Sequence, residues 1–190
     1  MPDHDSDSSK ASSKDAATDA ASPTPEAPAS GPTEPKVELV RLGNGEYAGR
    51  IIEVIPCTAE DAWRKIADLD RLDTLIPFCD SSTTEAIPGE DAVRLSIAVG
   101  LPRPFPRIHY VVRSSLDHDN RTVSWLRISG NLKRNEGSLG FEPLDETRCV
   151  ARYECCVGVG FHVPRFAEKI MERLLLPKIM ATLAARLARP

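Results

Sequence analysis

The stretch RIHYVVRSSLDHDNRTVSWLRIS, residues 107–129, reads as two β-strands joined by a short turn. Asp117, His118, Asp119 and Asn120 are turn formers, flanked on each side by runs rich in β-branched and aromatic residues. With 117–120 as the loop, Leu116 faces Arg121, Val112 faces Trp125 and Tyr110 faces Arg127. The preceding run AVRLSIAV, 92–99, alternates Val93, Leu95, Ile97 and Val99 against polar or small residues, the pattern of a half-buried antiparallel strand. If 100–107 connects the two, Ile97 lies opposite Tyr110. The apolar parity therefore runs through Val93, Leu95, Ile97, Tyr110, Val112, Val123, Trp125 and Arg127.

Outward from this hairpin the same period continues. LGFEP, 139–143, and RCVARYECCV, 148–157, read as further strands across a turn at 144–147. The polar NLKRNEG, 131–137, fits neither a helix nor a buried strand, and is expected to form a bend or rim, with Gly130 and Gly137 letting the chain turn. Upstream, RIIEVI, 50–55, is a strand stopped by Pro56. Thr58 and Asp61 then form an N-capping signal before Ala59, Ala62, Trp63, Ile66 and Ala67 at helical spacing. A second short helix, 72–76, ends at Pro77. Downstream of Pro164, Phe166, Ile170, Met171, Leu174, Leu175, Ile179, Leu183 and Leu187 form a broad apolar stripe on a long helix. Pro177 inside it predicts a kink or break.

An antiparallel sheet with one apolar face must cover that face, and the terminal helix is long enough to do so. The expectation is an α+β helix-grip fold: a curved antiparallel sheet wrapped around a long C-terminal helix, with two short helices after the first strand. Residues 1–36 contain no aromatic residue and no Leu, Ile or Val, and read as a disordered tail before a domain at 37–190. That tail holds seven carboxylates and three lysines, a net charge of −4 equal to that of the whole chain, so the remainder is balanced. A balanced domain does not point to nucleic acid.

The segment IEVIPCTAEDAWRKIADLDRLDTLIPFCDSS, 52–82, resembles the opening of the START-like, or SRPBCC, superfamily of polyketide cyclase/dehydrase and lipid-transport proteins, through Pro56, Trp63, Asp68 and Pro77. WLRISGNLKRNEGSLGFEPLDETRCVARYE, 125–154, is similar to that family's later strands, through Trp125, Gly130, Lys133, Gly137, Glu142, Pro143 and Tyr153. The resemblance spans about 50–189 and implies a helix-grip fold with an internal apolar pocket. It implies no single chemistry, because this fold hosts carriers, cyclases and chaperone-like binders. Leu139 and Gly140 stand where many relatives carry an aromatic, a departure expected to enlarge the cavity.

The candidate ligand-binding residues are Leu95, Ile97, Tyr110, Val112, Trp125, Arg127 and Tyr153, an apolar wall with a polar spot suited to orienting a greasy ligand. His109 falls on the opposite face, His118 in the turn and His162 before the helix. Glu53 and Glu154 are expected to be solvated. No Ser/His/Asp or Cys/His arrangement assembles, so catalytic residues stay unassigned. The five cysteines show no metal-ligand spacing and read as reduced structural thiols of a cytoplasmic protein, with no metal or cofactor implied. GLPRPFPRI, 100–108, with Pro102, Pro104 and Pro106 around Phe105, is expected to be a stiff connection or a rim over the pocket mouth.

The last helix sets Arg165, Lys169, Arg173, Lys178, Arg186 and Arg189 against Glu168 and Glu172, which reads first as a solvated face and second as a surface for transient contact with an anionic membrane. The primary reading is a non-catalytic binder or carrier of a lipid, quinone or polyketide-like molecule. The alternatives are an aromatase/cyclase-type enzyme, with Tyr110, Arg127 and Tyr153 positioning a carbonyl, and a protein-binding adaptor.

Overall fold

The structure, a computed structural model, describes residues 35–103, 105–160 and 164–189. The N-terminal tail, Pro104 and His162 lie outside those residues. Eight antiparallel strands form one sheet in the order β1-β2-β8-β7-β6-β5-β4-β3. They are β1 (Lys36–Gly43), β2 (Glu46–Ile55), β3 (Cys79–Ala86), β4 (Val93–Val99), β5 (Ile108–Asp117), β6 (Thr122–Gly130), β7 (Leu132–Pro143) and β8 (Cys149–Val159). Helices α1 (Ala59–Ala67) and α2 (Leu72–Leu75) follow β2. The terminal helix comprises α3 (Arg165–Ile170), a π-helical turn (Met171–Leu175) and α4 (Leu176–Leu187). This is the α+β helix-grip architecture that the alternation and the closing amphipathic helix imply.

Strand parity builds the core. Ile51 and Ile55 of β2, Leu95 and Ile97 of β4, Val112 of β5, Val123 of β6, Leu139 and Phe141 of β7 and Ala151 of β8 are buried on the inward face. Helix α4 closes that face with Met180, Leu183, Ala184 and Leu187. Full burial of a side chain such as Leu187 contributes about 1.5–3 kcal/mol. Helix α1 begins where Thr58 Oγ1 accepts the Asp61 N–H at 3.1 Å, and its buried face is Ala59, Ala62, Trp63 and Ile66. Trp63 Nε1 donates to Nδ1 of His118 at 3.3 Å, so the turn histidine is tied to the helix layer.

Several expectations need correction. NLKRNEG is not a bend: it is the first part of the twelve-residue strand β7, with Leu132 and Asn135 buried and a register shift between Leu132 and Arg134. The alternation was hidden because a bulge moves residues across faces. The β5–β6 hairpin pairs Val112 with Arg127, Ser114 with Trp125 and Leu116 with Val123, two residues from the expected register. The turn accommodates Arg121 at φ 49°, one residue beyond the anticipated loop. A shift by two keeps every side chain on its face, so the inward set is unchanged. Ile97 does pair with Tyr110.

Two strands were not anticipated. β1 pairs with β2 through a two-residue turn at Asn44 and Gly45, φ 53° and 76°, the left-handed geometry that an Asn-Gly pair favours. β3 is an edge strand, CDSSTTEA, whose inward Ser82 donates to the Leu69 carbonyl and which has no apolar alternation to read. At Pro177 the helix does not break. The preceding turn widens instead, Leu176 N–H bonding the Met171 carbonyl five residues back.

Candidate functional site

Between the inward face of β1, β2 and β8 and the α3–π segment lies an apolar cavity of about 200 Å³. Gly49 on β2 has no side chain to fill it, and a Cβ there would stand 3.2 Å from the Cys155 sulfur. Ile51, Tyr153, Val157 and Val159 form the sheet wall, and Met171 and Leu176 form the helix wall. Leu101, Phe105 and Ile108 edge the cavity, so the stiff β4–β5 connection is part of its lining.

Polarity enters at one place. Tyr47 donates its hydroxyl proton to Glu168 Oε1 at 2.7 Å, and Arg41 Nη1 lies 3.5 Å from the same oxygen. Tyr47 and Glu168 both line the cavity, and Arg41 stands outside the lining. Burial, reinforced by the Glu168 carboxylate, raises the Tyr47 phenol.

Of the seven residues selected from sequence, Tyr153 lines this cavity. Its ring packs at 5.6 Å on Trp125, with a 32° interplanar angle. Trp125 Nε1 donates to Asn135 Oδ1 at 3.1 Å, and Tyr110 packs against the same core. This satisfied cluster extends inward from the cavity wall. Leu95, Ile97 and Val112 sit in the closed core, Val112 at 1% exposure, away from the cavity lining. Arg127 donates to the Gly130 carbonyl at 3.2 Å and to the Leu132 carbonyl, tying the β6–β7 connection. Leu139, expected to enlarge the cavity, is buried in the core.

Sequence reasoning missed Tyr47, Glu168 and Asn135 as site residues. Tyr47 follows the overlooked Asn-Gly turn, Glu168 was counted only as helix charge, and Asn135 sat in the segment assigned to a bend. Glu53 was expected in solvent and is buried at 7% exposure, on the inward parity of Ile51 and Ile55. Its Oε2 has no hydrogen-bond partner, and burial pushes the carboxyl up to about 7. Glu154 is exposed and pairs with Arg50 at 3.1 Å.

Burial holds Tyr153 and Cys155 of the cavity wall in their neutral forms. Tyr153 is held well above its ordinary value by burial and by Cys155, and Cys155 is itself raised by burial. Neither loses its proton near neutral pH. Cys155 faces the cavity while Cys156 borders an open groove of about 410 Å³ on the opposite face of the sheet. That groove carries the exposed Arg50–Glu154 pair and is a solvated crease. Among the described residues no group of three His, Cys, Asp or Glu is placed to hold a metal, and no helix is long and apolar enough to cross a membrane.

No family model and no curated protein matches the sequence. Solved structures do match. The chain is similar to the aromatase/cyclase Zhui from Streptomyces, with TM-score 0.61 and 16% identity over 76% of this chain and 96% of that one. It is similar to a STAR-related lipid transfer protein from Xanthomonas axonopodis, with TM-score 0.61 and 13% identity over 80% and 99% of the two chains. Norcoclaurine synthase from Thalictrum flavum, in complex with dopamine and hydroxybenzaldehyde, gives TM-score 0.51 and 18% identity over 80% and 94%. The fold is that of the START-like, or SRPBCC, proteins.

Proposed function

We propose that the protein binds and carries an apolar small molecule, of lipid, quinone or polyketide-like chemistry, in the cavity between β1, β2, β8 and the terminal helix. The observation that carries this reading is the lining itself: a recessed space walled mostly by aliphatic and aromatic side chains, with a hydrogen-bonded polar pair in its lining. The lipid-transfer likeness supports it. Native mass spectrometry of the full chain purified from its own host tests it. Wild type is expected to retain an apolar ligand, and Val157→Phe, which fills the cavity, is expected to emerge at its apo mass. Equal ligand loading of the two proteins, or no ligand on either, overturns the reading.

A second reading, a cyclase-type enzyme, is favoured by the likeness to an aromatase/cyclase. It would work by holding a folded substrate against neutral phenols, Tyr47 and Tyr153 supplying the positioning. Turnover of a polyketide-like substrate that is lost in Tyr153→Phe without loss of binding would select it over carriage.

The terminal helix supports a further partner. Phe166 and Leu174 are 59% and 66% exposed and about two turns apart, with Ile170 about one turn from each, and Arg165, Lys169 and Arg173 lie alongside. The opposite side of the same segment lines the cavity through Glu168 and Met171. This surface suits transient docking on an anionic bilayer.

A further inference from the structure

The polar end of the cavity accepts hydrogen bonds. Tyr47 commits its one hydroxyl proton to Glu168, leaving that pair with lone pairs and a carboxylate charge to offer a ligand. Glu168 is inward, its side chain 19% exposed, whereas Arg41 is 48% exposed and approaches from outside the lining. The Tyr153 ring packs on Trp125. The remaining walls are aliphatic or aromatic.

From this arrangement we propose that Tyr47 and Glu168 form a head-group subsite selecting apolar molecules that carry a hydrogen-bond donor, a hydroxyl or an ammonium, and rejecting those that carry a carboxylate. The inference rests on the cavity being a binding site. An acidic head would sit against the Glu168 anion with its repulsion only partly offset by Arg41, while a hydroxyl gains a charge-assisted bond. A ligand lacking a donor covers the pair without satisfying its remaining lone pairs. Selectivity of this kind is lost when the acceptor is removed. Without Glu168 the Tyr47 O–H is free to donate into the cavity, and it donates to a hydroxyl and an ether oxygen alike.

Three fluorescent probes of one size test this on the full chain at neutral pH: 2-naphthol, with a donor; 2-methoxynaphthalene, without one; and 2-naphthoate, an anion. Wild type is expected to bind 2-naphthol about tenfold more tightly than the ether, and the naphthoate most weakly. Glu168→Leu should erase the difference between naphthol and ether. Glu168→Gln, which keeps an acceptor and removes the charge, should keep the naphthol preference and recover naphthoate binding, and it serves where the leucine variant does not fold. Ether binding equal to naphthol in wild type, or naphthoate binding most tightly, overturns the subsite and leaves the cavity reading intact. Failure of all three probes to bind overturns the cavity reading and the subsite together.

Discussion

Glu53 lies buried between Ile51 and Ile55 with one carboxyl oxygen unpartnered, and burial lifts its pKa to about 7. In the unfolded chain the same carboxyl titrates near 4.3, so the native state holds the proton more tightly. The penalty is therefore absent below about pH 4, grows between there and pH 7, and is complete above it, on the order of 3 kcal/mol. Thermal unfolding should show wild type losing stability from pH 5 to pH 8, and Glu53→Gln should remove most of that fall. A matching fall in both proteins would show that Glu53 is not its source. Parity put this side chain inside, in step with two isoleucines, and its charge argued for water. The charge misled because protonation, which a sequence does not display, lets a carboxyl enter an apolar layer. Gly137 is a second residue whose role is spatial. A Cβ there would meet the Glu154 carbonyl at 2.3 Å and Trp125 Cζ2 at 2.6 Å, so the strand must move or the indole must leave Asn135. Gly137→Ala is expected to cost about 2–3 kcal/mol in denaturant unfolding and to shift Trp125 fluorescence.

Elements were legible where side chains alternate and obscure where they do not. β4, β5, β6 and β8 announce themselves by period, and α1 by its Thr58 cap. The inward face survived a register error of two residues because the pleat repeats every two. β3 escaped notice because an edge strand of Ser and Thr buries little, and the first half of β7 because its bulge interrupts the alternation. The terminal helix was legible as an element but not in its facing. Phe166, Ile170 and Leu174 were read into one core stripe, yet the helix buries Ala167, Leu175, Met180, Leu183 and Leu187, and the widened turn at Met171–Leu175 separates the two halves. The leftover apolar row belongs with the basic residues beside it. Replacing Phe166, Ile170 and Leu174 together by Ser should leave the melting temperature within a few degrees, because exposed positions contribute little to folding. Wild type is expected to co-sediment with phosphatidylserine-containing vesicles at low salt and to be released at high salt, and the same variant should lose that co-sedimentation. Equal sedimentation of the two proteins would assign the membrane no part in this surface.

At the scale of the whole molecule, the position of the open space was the least legible feature. The sequence shows which face of each strand points inward, and on that basis the centre of the sheet was chosen as the pocket wall. The centre is where both layers meet most fully: Leu95, Ile97, Val112 and Phe141 share one buried core with side chains of α1 and α4. Space is left toward β1 and β2, under α3 and the π-helical turn and beside Gly49. That outcome depends on how the sheet bends and where the helix lifts, which no single strand encodes. Side chains around an apolar space of about 200 Å³ lack dispersion partners on that side. Folding stability and occupancy are thereby coupled: a molecule that fills the space restores those contacts only in the native state. At a free concentration a hundredfold above its dissociation constant, a ligand adds about 2.7 kcal/mol, which for a domain of this size is a rise of about 5–10 °C in Tm. Calorimetry of ligand-stripped protein with increasing 2-naphthol should show this rise, and the Val157→Phe protein should start at a higher Tm and respond weakly. A Tm independent of probe in wild type, or an equal response in the filled variant, would place the binding energy somewhere other than this cavity.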